Sequence, residues 1–307
     1  MAGMTLDQLR IFLAVAEHLH FTRAAEALYV TQPAVSAAIQ SLEEAYAVKL
    51  FHRIGRHIEI TEAGELLQVE ARKILDQVNL TERGLRELNG LQRGELKLGA
   101  SLTIGNYWLP EKISLFQSIY PGISIRCILN NADTIIAGTV QGEFDLGLVE
   151  AEVQPQHKSA LEEETIGTDK LLIVVGRLHP WFEHPEVSLR EITHTGWIMR
   201  EPGSGTQQWF EYALVNWGID FSQLNIISVL NSGEMVKAVV ESGVGAGAIS
   251  ELMVKKELKL DTLRAVSIID NRDGQSKGAE IVRPFLMLKH RQRFQSKICK
   301  AFEKILA

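Results

Sequence analysis

The period at which apolar residues recur changes along this chain, and that change constrains the fold more than any other feature of the sequence. Through residue 60 the spacing is helical in three short bursts. Leu9, Phe12, Leu13 and Ala16 recur at steps of three and four and so share one face of a first helix. After a break at Phe21-Thr22, the Thr22 hydroxyl is placed to cap a second helix over residues 23–28, whose Ala24, Ala25 and Ala27 let a neighbour approach closely. Thr31-Gln32-Pro33 then supplies a capping hydroxyl and a first-turn proline for a third helix, expected over residues 32–46. Residues 50–52 and 57–60, on either side of Gly55, read as two short extended pieces that pair as a hairpin, a wing.

From Thr61 to about Leu91 a single helical pattern runs unbroken. Leu67, Ala71, Ile74, Val78, Thr81, Leu85 and Leu88 fall at alternating steps of four and three, the spacing of a coiled-coil seam. Packing on the chain's own body is the alternative; a dimer seam is the favoured reading. Beyond Gly94 strands alternate with helical patterns, the strands over residues 96–100, 123–129, 146–149, 171–175, 196–198, 226–230, 246–250 and 281–288. That grammar predicts α/β units with mainly parallel sheets, in a stretch long enough for two lobes. Hinges are expected at residues 164–168 and 266–270, where polarity rises between apolar runs. The resulting plan is a module over residues 1–60, a linking helix over 61–92 and a body over 93–307. Within the body, lobe I takes 93–166 and 268–307, and lobe II takes 167–267.

Composition narrows the function classes. With 307 residues, 46% hydrophobic and 23% charged, the chain is a globular protein of two or three folding units. Its longest purely aliphatic run, residues 171–175, is far short of the roughly 20 residues of a membrane span. The first residues lack the basic and apolar segments of a signal peptide, so a cytoplasmic protein with no membrane partner is expected. Cys127 and Cys299 form no Cys-x-x-Cys or Cys/His cluster, so they are expected as buried apolar side chains and no metal site is implied. The net charge of −6 does not by itself point to nucleic acid.

Local motifs do. Residues 9–17 (Leu-Arg-Ile-Phe-Leu-Ala-Val-Ala-Glu), 21–28 (Phe-Thr-Arg-Ala-Ala-Glu-Ala-Leu) and 31–36 (Thr-Gln-Pro-Ala-Val-Ser) closely resemble the DNA-binding end of LysR-type transcriptional regulators. Leu42-Glu43, Leu50-Phe51, Arg53, Arg56 and Thr61-Glu62-Ala63-Gly64 continue the match in order. The resemblance implies an α/β protein with an all-α winged helix-turn-helix N-terminal domain, a long linker helix, and a two-lobed periplasmic-binding-protein-like effector domain. It also implies a homodimer or homotetramer on inverted-repeat double-stranded DNA, with RNA polymerase a possible further partner. His18-Leu19-His20 replaces the small turn common in the family, and Ala37 and Gln40 stand where basic residues are frequent.

In such a motif the third helix enters the major groove with its N-terminal residues at base edges. Thr31, Gln32, Pro33 and Ser36 lie there, Gln32 carrying the amide that pairs with adenine and Pro33 an apolar surface for a thymine methyl. Thr22, Arg23, Arg53 and Arg56 are phosphate-contact candidates, while Thr22 and Thr31 are equally placed to serve only as caps. Residues 1–60 hold five basic against six acidic side chains, a charge of −1, so a single module should bind weakly and depend on coupling to a second. His18, His20, His52 and His57 would make that binding mildly pH dependent.

Ligands of open α/β sheets sit beyond the carboxyl ends of strands. Ser101, Leu102 and Thr103 follow the first strand, Asn131 the second and Glu150 the third. Arg200, Gly203, Ser204 and Thr206 follow the strand at 196–198, and Asn231 the one at 226–230. Hydroxyls and free N–H groups at helix starts favour a small anionic effector. Arg200 would supply charge or be tied to Glu201 or Glu150, and Glu150 would line the cleft or be a surface acid. The sequences around residues 100–107, 145–150 and 200–206 resemble the LysR branch controlling sulfite reduction, sulfur assimilation and carbon fixation.

Three decoys fall away. Gly243-Val244-Gly245-Ala246-Gly247-Ala248 leads into a strand, the reverse of a dinucleotide fingerprint, so no cofactor is implied. Asn79-Leu80-Thr81 matches a glycosylation sequon but lies in the coiled-coil segment of a chain expected in the cytoplasm. Ser204 lacks a nucleophile elbow and an evident histidine base, so an enzyme is not expected. A solute-binding protein of the same two-lobed fold is the alternative, which the N-terminal module argues against.

Overall fold

The computed structural model describes residues 3–54, 57–87, 93–270, 277–278 and 280–307. They fall into two compact units, Met1–Arg86 and Glu87–Ala307.

In the first unit α1 (Leu6–His18), α2 (Phe21–Ala27) and α3 (Gln32–Tyr46) precede the antiparallel hairpin β1 (Phe51–Ile54) and β2 (His57–Ile60), then α4 (Glu62–Glu87). Each helix start has its own device. Thr5 and Gln8 form a reciprocal capping box on α1. On α2 the expected Thr22 cap is replaced by His20, whose ring Nδ1 accepts from the backbone N–H groups of Thr22 and Arg23. The left-handed turn at Leu19 ends α1 and leaves His20 extended, so α2 starts at Phe21. Thr31 holds the cap position of α3 without a side-chain capping bond. Pro33 removes one of the N–H donors that such a hydroxyl would serve.

Phe12, Val15, Ala24 and Val35 are fully buried, and the Phe12 and Phe51 rings lie 5.4 Å apart, tying the hairpin to α1. Glu43 near the end of α3 accepts from Lys49 Nζ at 2.7 Å and from the Leu50 N–H at 2.9 Å. Burial by itself would raise the Glu43 carboxyl, but the bonds from Lys49, Leu50 and Phe51 outweigh it and hold the pKa below the ordinary value. Thr61 donates to the Lys49 carbonyl at 2.6 Å and accepts from the Gly64 N–H at 3.0 Å. A Cβ on Gly64 would stand 2.4 Å from the Leu50 carbonyl oxygen, so glycine is what lets α4 start against β1. Ala71 is buried in the same core, with Leu67 and Leu75 packed against it, so the first turns of the expected seam belong to the module itself. Leu66, Val69, Ile74 and Leu85 stay exposed, whereas Leu88 lies outside the described residues.

The second unit opens with β3 (Gly94–Ser101), α5 (Leu109–Ile119), β4 (Ile123–Asn130), α6 (Ala132–Gln141), β5 (Leu146–Val149) and α7 (Pro155–Lys158). There follow β6 (Leu161–Gly176), β7 (Glu186–Ser188), α8 (Leu189–Ile192), β8 (Gly196–Arg200), α9 (Gly205–Trp217) and β9 (Asn225–Leu230). Then come α10 (Gly233–Glu241), β10 (Ala246–Ser250), α11 (Glu251–Lys259), β11 (Leu263–Asp270), β12 (Lys277–Gly278), β13 (Ile281–His290) and α12 (Lys297–Leu306). The strands order β4-β3-β5-β13-β6-β10-β8-β9, parallel at both ends. In the middle β13 runs antiparallel to β5 and β6, and β6 to β10, which departs from the mainly parallel expectation. Two apolar cores flank this middle, one containing Leu98, Phe116, Leu148 and Phe302, the other Val175, Trp197, Phe210 and Ile268.

Strands β6 and β13 run through both cores, since Leu171 and Ile281 belong to one, while Phe285 and Met287 belong to the other and Ile166 packs against it. One passage lies in β6 near Gly167, and the other lies in β13, where the register shifts between Phe285 and Leu286. Residues 266–270, expected as a hinge, continue β11 along β6 and β7 instead. Cys299 is buried and Cys127 half-buried, its thiol pushed up by burial. Among the described residues no helix is long and apolar enough to cross a membrane.

Two stability predictions follow from the first unit. Gly64→Ala should destabilise it by about 1–3 kcal/mol through overpacking, read as a lowered melting temperature. Glu43→Gln should lower stability at neutral pH. Because the folded carboxyl titrates below its unfolded value, that deficit should be full above the ordinary carboxylate range and vanish as pH falls through the folded pKa, measured by urea melts across pH.

Candidate DNA-reading surface and effector cleft

Thr31, Gln32 and Pro33 are exposed at the start of α3, with Ser36 one turn on and half-buried. Gln32 Nε2 donates to Ser36 Oγ at 2.8 Å, which lines up amide and hydroxyl on one face of the helix. Thr22 and Arg23 are exposed in the first turn of α2, their N–H groups held by His20. Arg56 lies outside the described residues, as does the side chain of Arg53. Farther along α3, Gln40 Nε2 donates to Glu44 at 2.7 Å where a basic side chain would face outward.

In the second unit the strand ends converge on Arg283, a fully buried side chain in β13. Asp169, its register partner on β6, accepts from Nε at 2.9 Å and from Nη2 at 2.7 Å. The other Asp169 oxygen accepts from Ser250 at 2.9 Å. Arg283 Nη1 donates to Thr206 Oγ1 at 3.0 Å, and Nη2 lies 3.4 Å from Thr103 Oγ1. Glu150, 2% exposed, accepts from the Ser101 hydroxyl and comes within 3.6 Å of Arg283 Nη1. Ser101, Thr103, Glu150 and Thr206 are therefore brought together, and the surface-acid reading of Glu150 is excluded.

The other expected cleft residues divide. Arg200 makes a bidentate pair with Glu201 at 2.8 and 2.9 Å, so its charge is engaged there and not with Glu150. Asn131 caps α6, accepting from the Thr134 N–H at 3.0 Å and its hydroxyl at 2.7 Å. Gly203, at φ 86, accepts the Asp133 N–H at 3.2 Å and so joins the loop before α9 to α6. Ser204 is buried at the cap position of α9 without a capping bond, and Leu102 is half-buried. Asn231 is exposed beyond β9 and outside the Arg283 network. A cavity of about 170 Å³ lies beside the loop before α9, lined by Asp133, Gln154, Ser204, Gln207 and Glu211 among others, none of which belongs to the Arg283 network.

Arg283 and Asp169 were absent from the sequence reading. The signal existed: an arginine inside the apolar run 281–288 must be paired if that strand is buried, because an unpaired buried charge is too costly.

A helix-turn-helix with a wing, carried by a chain whose other unit sets two α/β cores around a buried polar cluster, defines a DNA-binding regulator with an effector domain. Comparison with known proteins agrees. Residues 6–65 match the bacterial regulatory helix-turn-helix protein, lysR family, and residues 89–307 match the LysR substrate binding domain. A probable RuBisCO transcriptional regulator of Synechocystis sp. (strain ATCC 27184 / PCC 6803 / Kazusa) is 34% identical over 298 residues, 97% of this chain and 84% of that protein. Another from Nostoc sp. (strain PCC 7120 / SAG 25.82 / UTEX 2576) is 33% identical over 300 residues, 98% and 87%.

Full-length CbnR complexed with its target DNA shares the fold at a TM-score of 0.69, with 20% identity and 99% of both chains covered. The regulatory domain of CcmR from Synechocystis PCC6803, in complex with 2-PG, does so at 0.59, with 22% identity over 70% of this chain and 96% of that one. The chain belongs to the LysR family of transcriptional regulators, joining a winged helix-turn-helix and a linker helix to a two-lobed effector-binding domain.

Arg283→Met should cost the second unit about 3–5 kcal/mol, because it strands Asp169 and Glu150 as buried carboxylates; chemical denaturation reads this directly.

Proposed function

We infer that this chain controls genes of carbon fixation or allied central metabolism, binding inverted-repeat promoter DNA as a dimer or tetramer under the control of a small anionic effector. The DNA-reading role rests on the exposed Thr31-Gln32-Pro33 start of α3 with Gln32 aligned on Ser36. In this reading Gln32 and Ser36 face base edges, Pro33 adds apolar contact, and Thr22, Thr31, Arg23, Arg53 and Arg56 serve phosphates. The RuBisCO regulators among its relatives support carbon over sulfur metabolism. The 2-PG complex of the CcmR regulatory domain supports an anionic ligand for the effector domain. Residues 1–60 act as the DNA-binding domain, 61–92 as the linker and 93–307 as the effector domain, in a cytoplasmic regulator without catalytic activity. RNA polymerase is its downstream partner.

Self-association is favoured by apolar surface left uncovered. Along α4 it includes Leu66, Val69, Ile74 and Leu85. The second unit presents Ile128 and Leu129 on one edge strand, and Ile227 and Val229 on the other. Coupling two modules compensates for the −1 charge of each.

The test is fluorescence anisotropy with a labelled duplex carrying the DNA that adjoins the chain's own gene. Gln32→Ala should weaken binding by about 1–3 kcal/mol with loss of discrimination at one adenine. Arg23→Ala should weaken all sequences alike and reduce the salt slope by about 1. A wild-type protein that ignores every such duplex in dilute salt would overturn the reading.

A further inference from the structure

The Arg283 network contains one carboxylate more than its guanidinium can neutralise, and the two carboxylates are held unequally. Asp169 takes three hydrogen bonds, two from Arg283 and one from Ser250. Glu150 takes one, from Ser101, and reaches Arg283 Nη1 only to 3.6 Å. Both are almost wholly buried. A buried carboxylate with a single close donor is poorly compensated, so Glu150 is the member of the cluster most readily exchanged.

The groups against Glu150 are donors an anion would use, the Ser101 hydroxyl at the end of β3 and Arg283 Nη1. Thr103 and Thr206 add hydroxyls on the same guanidinium. With Asp169 already matching the charge of Arg283, Glu150 fills the cluster's second anion position, held by the Ser101 hydroxyl and the outer edge of the guanidinium.

We propose that Glu150 is a tethered anion occupying the inner anion subsite of the cleft, and that an anionic effector binds there by displacing it. This rests on the reading of the interlobe cleft as an anion site and goes beyond it by naming the group that competes for that site. Arg200 is no substitute, being engaged by Glu201. Apparent affinity equals the intrinsic affinity reduced by the fraction of time the subsite is free, so removing the competitor raises it. Glu150 thereby sets how much effector is needed before the lobes respond, and it disfavours ligands whose charged end is too weak to take its place.

The experiment titrates full-length wild-type, Glu150→Gln and Glu150→Ala proteins with 2-phosphoglycolate and, separately, with inorganic phosphate, by calorimetry. Thermal melting establishes that each variant is folded. The Ala variant should bind at least one of the two anions about tenfold or more tighter than wild type, with the nearly isosteric Gln variant in between. Affinity unchanged or lowered in a folded variant, while wild type binds, overturns the proposal and leaves the anion reading standing. Absence of binding by all three proteins overturns the anion reading and the proposal together. Failure of both variants to fold would make Glu150 a structural partner of Arg283 and would equally overturn the proposal.

Discussion

A guanidinium taken wholly out of water has to be compensated within hydrogen-bonding distance, and the assembly of the effector domain turns on how Arg283 meets that demand. Desolvation costs several kcal/mol per ion, so the pairing geometry cannot be loose. Asp169 sits directly across the β6/β13 ladder and supplies the matching charge. Side chains alternate faces along a strand, so a slip of one residue would carry Asp169 to the opposite face and leave Arg283 unpaired. The ion pair thus specifies the register of the two strands that pass between the lobes. Thr103 and Thr206, brought from separate elements, complete the same cluster.

That arrangement places a polar floor where the strands β3 and β5 end and α9 begins. Few mobile polar groups are left to adjust around a ligand, because Arg200, Asn131 and Asp169 are each committed to a neighbour. The loop before α9 is tied to α6 through Gly203 and Asp133, and the Glu152 N–H is held by Gln208 at 2.8 Å. Burial and the Glu152 carboxylate together raise the Tyr212 phenol at the same margin. A ligand shifts such an assembly only through its differential affinity for the arrangements the lobes can adopt.

The DNA-binding module meets a different constraint. Its small core is completed by devices at the element ends: the Thr5 capping box, the His20 ring on α2, the Glu43 bonds to the start of β1, and Gly64 beneath the Leu50 carbonyl. These leave the start of α3 presented to solvent on a stiff frame. They add almost no positive charge, so in the proposed reading specificity lies in the geometry of α3 and affinity in the pairing of modules.

Much of this was legible in order along the chain. The three helices, the wing, the α3 boundaries and the strands at 146–149 and 246–250 follow from periodicity and from proline and threonine placement, which act through near neighbours. The residues at strand ends were likewise findable, because sheet topology sends them to one side; Ser101, Thr103, Glu150 and Thr206 met there. Local pattern failed where the partner was distant. The first half of β6 is hidden by Glu162, Glu163 and Glu164, and residues 266–270 look polar although β6 and β7 pair with them.

Thr22 yielded its capping role to His20 because a turn geometry decided which acceptor lay in reach. The sequence by itself determined the helix-turn-helix, the α/β unit that follows it and their order, all consequences of short-range periodicity. Only the tertiary structure decided that Arg283 and Asp169, 114 residues apart, form the floor on which the cleft is built, since their pairing depends on strand register across the sheet.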